Sequence, residues 1–253
     1  MCNAAEGPEN VIWRPSPNFT ERRNGGVPAI IVLHYTAMLT TEAAYERLSN
    51  PDAEVSAHYL IGDDGQIIQL VDEADRAWHA GRSAWGDVSD VNSWSLGIEL
   101  ANPGPLLDLP PFPEALMQAC CELIGALRRR WSIPVENVVG HACIAPGRKV
   151  DPGPKFDWRR VARQGQGVWL DPPLRPSDLD ADADRFREAA RRFGFSVDQV
   201  RGWSDPLRDV WDAYALRFLA PSPLADRAPC AAGVAHLEAL ARRWPARNVH
   251  PGT

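Results

Sequence analysis

Two histidines, His34 and His141, each close a short apolar run, and Asp151 follows the second by ten residues in a loop punctuated by Pro146, Pro152 and Pro154. Two imidazoles and one carboxylate can occupy three corners of a tetrahedral zinc and leave the fourth open, as a catalytic rather than a structural ion requires. Prolines restrict φ and so hold such an aspartate in place without a helix. Two further residues bear on the same chemistry. Glu99 is a carboxylate inside the run Ser95-Leu96-Gly97-Ile98-Glu99-Leu100, and Lys149 precedes Asp151 by two residues. Lys149 and Lys155 are the only lysines in a chain whose other 25 basic side chains are arginine. Arginine substitutes poorly where a compact, flexible point charge is needed. Taken singly, each residue has a plainer reading. A strand-end histidine is more often a hydrogen-bonded core or rim residue, an aspartate in Asp-Pro-Gly is ordinarily a turn former, and two neighbouring lysines can arise by chance. Their combination with Glu99 and Lys149 favours the catalytic metal site over these plainer readings.

These side chains need a scaffold. PAIIVLHY, residues 28–35, is a continuous apolar run of the kind a buried strand shows, and it delivers His34 to its C-terminal end. Open α/β sheets build their sites at such ends. A helix follows, capped by Thr40 or Thr41, with Pro51 just past its stop. HYLIGDDGQIIQLV, 58–71, reads as two strands folded about Asp64-Gly65. In SLGIELA, 95–101, Leu96, Ile98 and Leu100 face one way while Gly97 and Glu99 face the other. From Pro113 to Trp131 apolar residues recur at helical spacing, which places Cys120 in the core. ENVVGH, 136–141, is a short strand ending in His141, and FDWRRVARQ, 156–164, is a helix. The fold class is therefore α/β, a mixed β-sheet flanked by helices.

Near residue 165 the composition turns to glycine and proline, which marks a linker. The predicted division is a catalytic domain over 1–164, a linker over 165–179 and a small three-helix bundle over 180–253. Its helices run from Asp180 to Phe193 with a stop at Gly194, through Leu207, Trp211 and Phe218, and through Leu237 to Trp244 before Pro245.

The net charge of −6, from 27 basic and 33 acidic residues, supplies no basic excess to displace counterions and argues against nucleic acid as a partner. Arg128 to Arg130 read as the solvated end of a helix, where cations suit the dipole. No apolar run approaches the ~20 residues needed to cross a bilayer. Five cysteines without a Cys-x-x-Cys pair argue against a disulfide framework and for a reducing compartment. MCNAAEGPEN shows no charged segment followed by an apolar stretch, so the expected location is cytoplasmic, or periplasmic if a leader preceded it.

The segments HYTA (34–37), SAHYLI (56–61), RAWHAG (76–81), LGIEL (96–100) and GHACIAPGRKVDPGPKFDW (140–158) together resemble the zinc-dependent, type-2 N-acetylmuramoyl-L-alanine amidases. The likeness runs collinearly over about residues 12–162, and the 165–245 segment is similar to the helical peptidoglycan-binding domain of some members. The resemblance implies one zinc per chain held by His34, His141 and Asp151, with Glu99 as the catalytic glutamate and Lys149 as the lysine that faces the oxyanion. Zinc makes water a nucleophile near neutral pH and polarises the scissile carbonyl. Glu99 would move the proton from that water to the leaving amine. His79, in the Trp78-Gly81 loop, is expected to contact substrate or support the transition state. Tyr35 is a candidate contact for sugar or peptide, with packing as the alternative, and His58 reads as structural. The implied substrate is the amide between N-acetylmuramic acid, in its anhydro form, and L-alanine of muropeptides imported during cell-wall recycling. Alternatives are an envelope amidase acting on intact peptidoglycan, a muropeptide-binding sensor without turnover, and a different zinc hydrolase.

Overall fold

A computed structural model describes residues 11–172, 181–197, 202, 204–220, 228–247 and 249. The first ten residues with Cys2, and residues 173–179 of the predicted linker, lie outside them. In chain order the elements are β1 (Val11–Trp13), β2 (Phe19–Glu21), β3 (Ile30–Tyr35), α1 (Thr41–Ser49), β4 (Tyr59–Ile61), β5 (Ile67–Gln69), β6 (Asp75–Ala77), α2 (Val91–Trp94) and β7 (Ser95–Leu100). There follow α3 (Glu114–Trp131), β8 (Val138–Gly140), α4 (His141–Ile144), α5 (Trp158–Arg163), α6 (Ala183–Phe193), α7 (Asp205–Phe218) and α8 (Ala231–Arg243).

Six strands form a mixed sheet in the order β1-β5-β4-β7-β3-β8, and β2 pairs with β6 as a separate ribbon. The pairs β3–β7, β3–β8 and β4–β7 are parallel, while β4–β5 is the antiparallel hairpin expected about Asp64-Gly65. The centre of the sheet is β3. Its Ile30, Ile31, Val32 and Leu33 are wholly shielded from water, and burial of side chains of this size stabilises by ~1.5–3 kcal/mol each. The strand that carries His34 is thus among the most firmly held parts of the molecule.

Register decides which residues share a face. Ile31 pairs with Leu96, Leu33 with Ile98, and His34 with Glu99. One face therefore carries Ile31, Leu33, Leu96 and Ile98 against Leu116, Cys120, Leu123 and Leu127 of α3 and Trp158 and Val161 of α5. The other carries Ile30, Val32 and Val139, with His34 and Glu99 at its C-terminal edge. Thr40 caps α1, its hydroxyl accepting from the Ala43 N–H at 3.1 Å.

The three C-terminal helices fall where the hydrophobic spacing puts them, and Gly194 stops α6 at φ +127°, a value glycine tolerates. Their apolar faces share one core with the sheet: Ile30, Val32 and Val139 continue through Ala142 and Ile144 to Phe186, Phe193, Leu207, Trp211 and Leu237. Arg217 of α7 is buried, donates to the Val138 carbonyl at 3.0 Å and stacks over Trp158. The Gly-Pro segment after α5 begins packed, with Val168 fully buried.

Some expectations change. The strand before His141 ends at Gly140, and His141 instead opens α4. Arg128 and Arg130 are not simply solvated: Arg128 donates to the Gly165 carbonyl at 2.6 Å, and Arg130 ion-pairs with the buried Glu73. Lys155 is exposed and donates to the Asp108 carbonyl at 3.0 Å.

Candidate metal centre and active site

His34 comes from the C-terminal end of β3, His141 from the first residue of α4, and Asp151 from the loop that precedes α5. The loop folds back so that the Asp151 carbonyl accepts from the Ala142 N–H at 2.9 Å. The Nδ1 atoms of His34 and His141 stand 2.9 Å apart, and each lies 3.0 Å from Asp151 Oδ2. All three residues are buried, at 2, 4 and 7 % exposure. Among the described residues this is the one group of three metal-donor side chains whose donor atoms converge.

The arrangement fits a metal. Ligand atoms about 2.0–2.1 Å from a tetrahedral zinc are about 3.3 Å apart, close to the spacing seen. Each imidazole has its outer nitrogen engaged elsewhere, His34 Nε2 with His79 Nδ1 at 3.0 Å and His141 Nε2 with the Ala80 carbonyl at 3.2 Å. Burial, with His141 adjacent, lowers the His34 pKa to about 4, so its ring is neutral at physiological pH. Burial raises the Asp151 pKa, but hydrogen bonds from His141 and His34 outweigh it and keep the carboxyl ionised. Cys143 is buried and lies 3.8 Å from an Arg217 nitrogen, apart from the triad.

Glu99 projects from the same face of β7, level with His34. Its Oε2 is shielded from water and has no hydrogen-bond partner. Burial, and then the charge on Asp151, push its pKa well above the usual carboxylate range, while Lys149 pulls it back. Lys149 is exposed and, with Tyr35, Glu99 and the triad, lines a cleft of about 390 Å³. A larger groove, about 1220 Å³, lies along β1, β5 and α3 and contains none of these residues. Tyr35 is half-buried in the cleft wall with its ring against Gly104, and burial followed by Asp151 raises its pKa. The structure therefore brings together every predicted site residue, but in different capacities. His79 is only 9 % exposed, and its second ring nitrogen meets Ser95 Oγ at 3.1 Å. Both its nitrogens thus have partners within the protein.

Two neighbours escaped the sequence reading. Ser95 was legible in principle, because positions 95, 97 and 99 share one strand face. Asn92, whose Oδ1 accepts from the N–H groups of His79 and Ala80 at 3.1 and 2.8 Å, carries no pattern that marks it. His58 is buried between strands, its Nδ1 accepting from the Gly97 N–H at 3.0 Å.

Two buried imidazoles and a carboxylate that converge, with a second carboxylate and an ammonium in one cleft, fit a single-metal hydrolase site. The sequence profile of the N-acetylmuramoyl-L-alanine amidases matches residues 24–154, and the chain belongs to that family. It is similar to the N-acetylmuramoyl-L-alanine amidase AmiD of Escherichia coli, at 37% identity over 187 residues, 66% of this chain and 67% of AmiD. It is also similar to the 1,6-anhydro-N-acetylmuramyl-L-alanine amidase AmpD of Citrobacter freundii, at 35% identity over 163 residues, 58% of this chain and 85% of AmpD. The solved complex of Escherichia coli AmiD with anhydro-N-acetylmuramic acid-L-Ala-D-gamma-Glu-L-Lys superposes with a TM-score of 0.74 at 33% identity, covering 90% of this chain and 98% of that one. That coverage is more than residues 1–164 can supply, so the likeness continues into the C-terminal helices.

Proposed function

We propose that this protein is a zinc-dependent hydrolase of the amide between anhydro-N-acetylmuramic acid and L-alanine in muropeptides, acting in peptidoglycan recycling. The observation that carries the reading is the convergence of the His34, His141 and Asp151 donor atoms to within 3.0 Å beside an unpartnered Glu99 oxygen. Support for the anhydro sugar comes from the AmpD relative, whose name specifies it, and from the solved AmiD complex, whose ligand carries it.

His34, His141 and Asp151 would hold the zinc, which supplies Lewis acidity at the scissile carbonyl and makes water nucleophilic near pH 7. Glu99 takes the proton of the attacking water at its free Oε2 and returns it to the leaving L-alanine nitrogen. Burial raises its pKa from the ordinary carboxylate range, which strengthens it as the base that receives this proton. Lys149 offers a mobile ammonium at the cleft, where negative charge grows on the carbonyl oxygen. Tyr35 borders the same opening and is assigned to contact with the sugar or peptide. The helices α6–α8 back the segment that carries Lys149 and Asp151: the Asp209 carboxylate of α7 lies against Gly147. We read residues 180–253 as a unit that shapes this wall, with binding to peptidoglycan as its second use. No helix among the described residues is long and apolar enough to span a membrane. The expected compartment is the cytoplasm, checked by cell fractionation with antibody detection.

Incubation with anhydro-N-acetylmuramyl tripeptide followed by mass analysis tests the reaction. Free tripeptide and anhydro sugar in equal amounts support it. Intact ligand retained on the protein would mean a sensor, and cleavage confined to intact peptidoglycan would mean an envelope enzyme.

A further inference from the structure

We infer that the loop Trp78-His79-Ala80-Gly81 is the outer hydrogen-bond shell that orients both histidine ligands, and that Asn92 is the positioning residue that holds this loop in place. The inference rests on the reading of His34, His141 and Asp151 as zinc ligands and goes beyond it by assigning roles to residues that touch neither ion nor substrate.

Two backbone carbonyls fix the direction of every proton in the shell. The Val91 carbonyl can only accept, so the Ser95 hydroxyl, 2.6 Å away, donates to it. Ser95 Oγ is then left to accept, and the His79 Nε2 at 3.1 Å must carry the hydrogen. A neutral imidazole with hydrogen on Nε2 has its lone pair on Nδ1, which accordingly accepts from His34 Nε2–H at 3.0 Å. His34 Nδ1 therefore presents a lone pair to the triad. On the other ligand the step is shorter. The Ala80 carbonyl accepts from His141 Nε2–H at 3.2 Å, which leaves the lone pair of His141 Nδ1 facing the same point. Consecutive residues of one loop thus set both tautomers, one through a side chain and the other through its backbone.

The loop needs its own support, since an error of 1 Å here would be passed to both ligands. Asn92 supplies it through a single oxygen that accepts from both His79 N–H and Ala80 N–H. Arg148 adds a donor to the Ala80 carbonyl at 2.9 Å. Room for the imidazole comes from Gly97: a Cβ there would lie 2.4 Å from His79 Cγ. Asn92 lies in α2 and Ser95 opens β7, the strand that follows it directly and also carries Glu99, so one continuous segment positions the base and the outer shell together. His79 thus lines the cleft with both ring nitrogens already engaged, by His34 and Ser95.

The test measures zinc affinity of the full-length protein by competition with a chromophoric chelator, together with kcat and KM on anhydro-N-acetylmuramyl tripeptide. Loss of an outer-shell partner typically weakens zinc binding ~10–100-fold, and His79→Leu and Asn92→Ala should each fall in that range with KM little changed. His79→Asn retains an acceptor oxygen near the place of Nδ1 and should recover part of the affinity. Asn92→Asp keeps an oxygen for both N–H groups and should stay close to wild type. Wild-type zinc affinity in both His79→Leu and Asn92→Ala, with the effect in KM alone, would overturn the inference and return His79 to substrate contact. A wild-type protein that binds no zinc would instead overturn the zinc reading, and this inference with it.

Discussion

Gly97→Ala adds one methyl group, and the structure says where it goes. The new carbon would stand 2.4 Å from Cγ, 2.6 Å from Cδ2 and 2.7 Å from Nδ1 of His79. The ring must retreat by roughly 1 Å to restore ordinary van der Waals contact. It cannot do so freely, because its nitrogens are tied to His34 at 3.0 Å and Ser95 at 3.1 Å. Overpacking of this kind costs ~1–3 kcal/mol, and loss of the His34 hydrogen bond adds ~1 kcal/mol. Against this stands ~0.4–1 kcal/mol gained because alanine restricts the unfolded chain. The net destabilisation is ~1–3 kcal/mol, which for a chain of this size lowers Tm by about 2–12 °C. Thermal denaturation of four proteins, wild type, Gly97→Ala, His79→Ala and the double variant, isolates the collision. With the imidazole gone the methyl has space, so Gly97→Ala should be neutral or slightly stabilising in the His79→Ala background. A coupling energy near zero would refute the reasoning, because the penalty would then arise elsewhere on β7.

Other substitutions separate metal binding, proton transfer and folding. Glu99→Gln should retain zinc while kcat falls ~10²–10⁴-fold; because Glu99 Oε2 is buried without a partner, thermal denaturation should show Tm unchanged or higher. Asp151→Ala should lose zinc and activity together, and a metal-free yet active variant, by metal analysis and turnover, would remove the aspartate from the site. Lys149→Arg should be impaired in kcat although charge is conserved, and near-normal turnover would mean that the compactness of the ammonium is irrelevant. Burial, reinforced by Arg22, depresses the His58 pKa from 6.5 to about 3. Between these values the unfolded chain binds the proton more readily, so stability is complete above pH 6.5 and declines as pH falls toward 3, by up to ~1.4 kcal/mol per unit. Denaturant melts across that window should show a shallower slope for His58→Asn than for wild type.

Much of the site was legible because its parts follow strong local signals. A continuous apolar run predicts β3 and therefore where His34 lies, and period-two alternation predicts that Glu99 turns away from Leu96 and Ile98. The C-terminal helices announce themselves through their apolar spacing. What escaped was non-local or short. The strands β1, β2 and β6 have three residues each, too few to display a period, and all of β2 is exposed. His79 was located, but sequence shows that a histidine sits in a loop without showing what its nitrogens meet. Asn92 was invisible for the same reason: an amide oxygen shared by two N–H groups has no spacing rule. Arg128 and Arg130 looked like the solvated end of a helix because a dipole argument sees only their own element, whereas Gly165 and Glu73 reach them from elsewhere in the chain.

The central claim is that one zinc, held by His34, His141 and Asp151, is required for amide cleavage. The direct measurement strips purified protein with a chelator and titrates zinc back while following release of tripeptide from anhydro-N-acetylmuramyl tripeptide. The account predicts no cleavage by the stripped protein, recovery that plateaus at one zinc per chain, and no recovery in Asp151→Ala. Undiminished cleavage by protein shown to be free of metal would contradict it.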